Sequence, residues 1–224
     1  MTEFNELIGR NIELELSGGN LYRGILIDSG LDIIVLYVGR SGTFLYIPTF
    51  HIQQLKEVLI LDEEVYDPPS EKPLETATQM ISFRKILTNA KGRFVEVYVT
   101  GNKSIHGYLT SIMNDYFVFY SPVYKNLFIS MNHVKWLTPY PEDATPYSLD
   151  KQHLPVHPTS IPLARSFEEQ CKKIVNQMVV IDGGDKSEKI GLLQQVRSNK
   201  LILITAERET VYRNLAHVKT IHLP

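Results

Sequence analysis

The sequence repeats its own spacing three times, and that constrains its fold more than any other feature. Ile12 to Gly24 spans 12 residues, as do Val95 to Gly107 and Val179 to Gly191. From those glycines to His51, His133 and His217 the separations are 27, 26 and 26 residues. Five residues before each histidine stands an aromatic, Tyr46, Phe128 or Tyr212, and directly after it a branched aliphatic, Ile52, Val134 or Val218. Self-similarity of this kind marks tandem units of one supersecondary plan. The 224 residues divide accordingly into repeats at 1–58, 83–140 and 167–224, with linkers at 59–82 and 141–166. Nine of the 12 prolines fall at or between the repeat ends. Proline lacks a donor and holds its predecessor extended, so these stretches are expected to be stiff connectors.

Inside each repeat the pattern is that of strands. Ile12, Leu14 and Leu16 alternate with Glu13 and Glu15, and Val95, Val97 and Val99 alternate around Glu96 and Tyr98. Such alternation turns one face inward and the other to water. Ser17-Gly18-Gly19-Asn20, Gly101-Asn102 and Asp182-Gly183-Gly184-Asp185 supply hairpin turns. Gly24, Gly107 and Gly191 then lie within a second strand, where glycine marks a bulge or bend. Ile33–Tyr37, Phe117–Tyr120 and Leu201–Ile204 are apolar on both faces and read as central strands. Two short strands follow, ending near Leu55, Leu137 and Ile221. A helix opens the third repeat: Ser166 and Glu169 form a capping box, and Phe167, Cys171, Ile174, Val175 and Met178 share a helical stripe. Shorter versions begin at Phe4 and Phe83. One helix and five bent strands in so short a repeat predict a small barrel that closes to remove its edges. The fold class is all-β with short N-terminal helices.

Composition narrows the function classes. A formal charge of −2, with 43% apolar and 21% charged residues, is ordinary for a globular chain. No apolar run approaches the roughly 20 residues of a membrane helix. The acidic start, Glu3 and Glu6, is not that of a secretory signal, so none is expected. A single cysteine, Cys171, rules out a disulfide within this chain and a cysteine-based zinc site. Charge is uneven, however: residues 4–58 of the first repeat carry −2, the second repeat +5 and the third +2, while the first linker is acidic.

Candidate chemistry is sparse. His51, His133 and His217 recur at one place in three separate repeats, which points to a fold-determining turn rather than to convergent metal ligands. His153 and His157 flank Pro155 in a linker without a carboxylate cluster. Cys171 lies on an apolar helical stripe, where a free thiol behaves as a small hydrophobe; a cross-link between chains is the sharper alternative. Glu168 and Glu169 sit at a helix start, where they favour the macrodipole. No nucleophile–base set, phosphate loop or dinucleotide fingerprint is present. No catalytic, cofactor-binding or metal site is therefore assigned, no cofactor is expected, and an enzyme is not. The strongest binding pattern is in the second repeat. There Arg84, Lys85, Lys91, Arg93, Lys103, Lys125 and Lys135 interleave with Tyr98, Tyr108, Tyr116, Tyr120 and Tyr124. Basic and aromatic groups together can track and stack on single-stranded nucleic acid. Tyrosine-rich strands equally suit protein contacts.

The short helix, five bent strands and strand-two glycine resemble the Sm-like fold. Val211 to Ile221 lies without gaps on the second Sm motif. Its Arg-Gly position is occupied here by Pro48-Thr49, Ser130-Met131 and Asn214-Leu215. The loops after strand two, Asp28–Asp32, Asn114–Val118 and Arg197–Leu201, lack the Asp-x-aromatic-x-Asn signature. The resemblance thus implies the fold and not the RNA site. In Sm rings neighbouring modules pair strand four with strand five, and the likeness implies contacts of that kind within one chain or among several. A nearer resemblance is to the spore coat protein B family of endospore-forming bacteria, through endings of the form Tyr-x-x-x-x-His-Ile/Val-Lys-x-Ile. Tyr212 to Ile221 matches that ending, as do Tyr46 to Ile52 and Phe128 to Lys135 with small changes. The Asp182-Gly183-Gly184 turn and Lys186-Ser187-Glu188-Lys189 are also similar. The Ser- and Lys-rich tail of some members is absent, and the second repeat lacks the Gly-Gly. The resemblance implies three tandem Sm-like barrels in a non-enzymatic coat component. It would be made in the mother-cell cytoplasm, would move to the spore coat, and would contact other coat proteins or itself, with no membrane or small-molecule substrate. The alternative is an RNA- or single-strand-binding scaffold acting through the second repeat.

Overall fold

A computed structural model describes residues 4–58, 67–74, 80–100, 103–141, 144, 147, 159 and 161–224. The Gly101-Asn102 turn, the Lys103 side chain, His153, His157 and much of both linkers lie outside the described residues. In chain order the strands are β1 (Asn11–Leu16), β2 (Asn20–Ser29), β3 (Ile33–Val38), β4 (Thr43–Pro48), β5 (Ile52–Glu57), β6 (Phe94–Thr100), β7 (Lys103–Ile112) and β8 (Tyr116–Ser121). They continue as β9 (Lys125–Ser130), β10 (Trp136–Pro139), β11 (Met178–Ile181), β12 (Ile190–Arg197), β13 (Lys200–Ile204), β14 (Thr210–Asn214) and β15 (Thr220–His222). Two α-helices, α1 (Phe83–Ala90) and α2 (Phe167–Lys172), precede β6 and β11. The protein is mostly β, as expected, and its described ladders are antiparallel.

The chain forms two compact units. One contains Met1–Ile105 and Val134–Ala144, the other His106–His133 and Thr145–Pro224. The first unit orders its strands β6-β10-β4-β3-β2-β1-β5. The second runs β14-β13-β12-β11-β15-β9-β8-β7. The unit boundaries therefore fall inside the stretch 83–140: its first and last strands join strands 1–5, and its middle strands join strands 11–15. The expected barrel closed on itself is not what the ladders show. In each unit the sheet is open, because a fourth strand pairs with the fifth strand of the next stretch instead of returning to its own.

The local rules behind these strands recur three times. A Cβ on Gly24 would strike the carbonyl oxygen of Tyr37; on Gly107 it would strike that of Tyr120, and on Gly191 that of Ile204. Only glycine lets strand two approach strand three so closely. Shortly after each glycine the ladder slips by one residue, between Leu26 and Asp28, Leu109 and Ser111, and Leu193 and Gln195. A bulge at that point bends the strand and sharpens its twist. The histidines likewise share one setting, each ending a single 3-10 turn between the fourth and fifth strands.

The helices differ in length from their sequence pattern. Ser82 and Ser166 cap α1 and α2 by accepting from Lys85 N and Glu169 N, each at 3.4 Å. The stripe through Ile174, Val175 and Met178 predicts a longer helix than the one formed, for α2 stops at Lys172. Asn176 turns left-handed at φ 66° and donates its N–H to Leu193 O at 2.7 Å. That bond ties the chain to β12 and starts β11 at Met178. The cores are aliphatic and aromatic: Ile12, Leu14, Leu26, Leu36 and Ile47 in the first unit, Tyr116, Phe128, Phe167, Leu203 and Ile221 in the second.

Candidate functional site

The structure concentrates its side-chain chemistry where successive stretches of chain are sewn together. In the first unit β10 pairs with β4, with Leu137 opposite Tyr46. Trp136 stacks on Tyr98 at 5.3 Å and meets Tyr22 edge-on. Its Nε1 donates to Tyr22 Oη at 2.8 Å, and Asn20 Nδ2 donates to Tyr98 Oη at 3.0 Å. Lys135 Nζ donates to Ser17 Oγ and, at 2.8 Å, to Nδ1 of the buried His51. In the second unit β15 pairs with β9, with Ile221 opposite Phe128 and His222 opposite Leu127. His133 Nε2 lies 2.9 Å from Ala216 O.

A second seam reinforces each junction. Asp32 Oδ1 accepts the Phe83 N–H at 2.7 Å, at the first residue of α1. Asp115 Oδ1 accepts the Phe167 N–H at 2.8 Å, at the first residue of α2. The loop after one strand two thus satisfies an orphan donor of the helix that opens the next stretch. Asp32 and Asp115 each stand eight residues after the strand-two glycine. That constant offset was the available signal, and it exposes Asn199 as the third member. The carbonyls agree: Asp32 O, Asp115 O and Asn199 O each accept at 2.9 Å, from Thr49, Met131 and Leu215 N.

Among the described residues the seam is uncovered at both ends of this series. Tyr46 and Phe128 are 1% exposed, whereas Tyr212, at the matching place on β14, is 68% exposed. Beyond β4 and β9 lie β10 and β15; among the described residues β14 pairs with β13 alone. On the same face of that sheet Met178, Ile190 and Leu192 are also exposed. In β5 only Ile52 and Leu55 are even half-buried, while Leu137 and Ile221 are fully buried. Lys56 of β5 and Arg23 of β2 both pair with Glu13 between them, at 2.5 and 2.6 Å, and hold its carboxyl below the usual carboxylate range.

The residues singled out from sequence distribute as follows. His51 is buried, His133 half-buried and His217 exposed. Cys171 is fully buried, and burial, with the nearby Glu168 and Asp115 carboxylates, pushes its thiol up to about 12. Such a thiol carries almost no thiolate at neutral pH, which removes the ready route to a cross-link. Glu168 and Glu169 both pair with Lys172, at 3.4 and 2.6 Å. Of the five tyrosines in the basic stretch, Tyr98, Tyr116 and Tyr120 are buried. Burial raises the Tyr116 hydroxyl to about 12, and that hydroxyl donates to Ala164 O at 2.7 Å. Arg93 is committed to Pro73 O, and Lys135 to Ser17 and His51. Arg84, Lys85, Lys91 and Lys125 are exposed. The structure therefore spends much of the basic and aromatic pattern on its own seams and core. No helix among the described residues is long and apolar enough to cross a membrane.

Comparison with known proteins places these features. The spore coat protein B of Bacillus subtilis (strain 168) is 28% identical over 141 residues, which cover 63% of this chain and 35% of that protein. Residues 166–221, holding α2 through most of β15, match the family model described as the YwrJ third domain. The protein YwrJ of the same bacterium is 45% identical over the full length of both chains. Similarity of that extent over the full length shows that the chain belongs to the YwrJ family.

Proposed function

We propose that this protein is a non-enzymatic structural component of the bacterial spore coat: three linked modules of Sm-like kind, acting as a protein-interaction scaffold. Its similarity to spore coat protein B over 63% of the chain carries the reading. The recurrent glycine contact, bulge and histidine turn support three modules of one plan. The junctions support a scaffold, since their polar groups are used in joining strands. The protein would be made in the mother-cell cytoplasm, join the assembling coat, and meet other coat proteins or further copies of itself.

A fluorescent fusion expressed in sporulating Bacillus subtilis tests this reading. Fluorescence should collect around the forespore, and the protein should co-purify with extracted coat. A diffuse signal in the mother cell, with none on washed mature spores, would contradict it. A parallel titration with single-stranded RNA at low salt should show no binding. Binding that fell steeply with added salt would instead favour the nucleic-acid alternative.

A further inference from the structure

We propose that copies of this chain associate head to tail, the open edge of β14 on one copy pairing antiparallel with the open edge of β5 on the next. The inference rests on the scaffold reading and gives it a partner. Its basis is a junction that the chain already makes twice. In each case the fourth strand of one stretch takes up the fifth strand of the next, β4 with β10 and β9 with β15. Counting along the chain leaves one fourth strand, β14, and one fifth strand, β5, outside this scheme. They are complementary in kind, so a second copy supplies what each lacks.

Burial shows the same vacancy in side-chain terms. Tyr212 stands where Tyr46 and Phe128 stand, five residues before its histidine, yet it is 68% exposed where they are 1%. Leu55 stands where Leu137 and Ile221 stand, four residues past its histidine, and is half-buried where they are fully buried. An exposed tyrosine on the sheet face that also exposes Met178, Ile190 and Leu192 adds apolar surface of the kind that marks an interaction site.

The internal junctions also fix the register. Leu137 faces Tyr46 and Ile221 faces Phe128, so Leu55 would face Tyr212. Gln54 would then face Arg213, and Lys56 would face Val211. No like charges meet directly across this ladder, a condition that cross-strand pairing requires. The second seam has a place waiting as well. Asn199 occupies the position from which Asp32 and Asp115 reach the next helix, and Phe4 occupies that of Phe83 and Phe167. Because the two surfaces differ, the contact is heterologous and propagates from copy to copy until it closes or runs on.

Sedimentation velocity of the full chain over a wide concentration range provides the test. Wild type should pass from monomer to successively longer species. Tyr212→Asp spoils the β14 edge, and Gln54→Lys sets like charges opposite Arg213. Both side chains are exposed, so thermal melting should stay near wild type, while each variant should associate about tenfold more weakly or worse. Mixed together, the two variants should give a one-to-one dimer and nothing larger, because each retains the edge the other has lost. Wild type that remains monomeric throughout would overturn the proposal, whatever the variants do. So would single variants that associate like wild type, or a mixture that forms no dimer. A monomeric protein whose fusion still reaches the coat would sink this inference alone and leave the scaffold reading standing.

Discussion

At the scale of single residues, the strand-two glycines bear the strictest demand. Gly107 lies against Tyr120 O and the Phe119 ring; a methyl there must push a paired backbone aside in a fully packed core. Gly107→Ala should cost about 1–3 kcal/mol, as overpacking does, read as a lower urea midpoint. Gly19, with φ +78° and open space around its absent Cβ, is the control. Gly19→Asn keeps a residue that tolerates left-handed backbone and should cost much less. A Gly107→Ala midpoint equal to that of Gly19→Asn would show that the close approach does not matter. These glycines were legible in the sequence because their demand is local and repeats at fixed spacing. Asp32 and Asp115 were in view too, but only as loop residues lacking an RNA signature. Their role depends on a helix 51 or 52 residues further on, and no local pattern displays that.

At the scale of elements, β15 is the strand whose attachment answers to pH. His222 is buried in it against Tyr124, with ring centroids 5.6 Å apart, and its Nδ1 has no hydrogen-bond partner among the described residues. Burial lowers its pKa below the ordinary value of 6.5. The unfolded chain therefore takes up the proton first as pH falls. Stability from the neutral ring is complete above about 6.5 and declines as pH drops through the folded value. His222→Gln should flatten that decline in thermal melts taken across the range. A variant whose melting point fell with acid as steeply as wild type would assign the effect elsewhere. The element scale is also where sequence reasoning stopped short. Strand periodicity, turn chemistry and the histidine turns gave the strands in order. Closure of each five-strand set followed from the need to hide edges, and the chain hides them differently. Trp136 and Tyr22 are 114 residues apart, so their hydrogen bond emerges only when β10 is laid on β4. The overlong stripe after α2 failed for a related reason: Asn176 found a backbone partner on β12 that outweighed helical spacing.

At the scale of the whole molecule, neighbouring stretches are joined by fourth-to-fifth strand ladders, made twice within the chain and, among the described residues, left open once on each kind of edge. The ladder explains why the compact units cut through 83–140 instead of following the proline-rich linkers. It also explains why matched residues such as Tyr46 and Tyr212 differ so widely in exposure. Hydrogen–deuterium exchange read residue by residue tests it most directly. In dilute protein the amides of β10 and β15 should exchange slowly, and the outward amides of β5 and β14 quickly. Raising the concentration should slow β5 and β14 together. Amides of Thr220–His222 that exchange as fast as the outer edge of β5, at any concentration, would contradict the account.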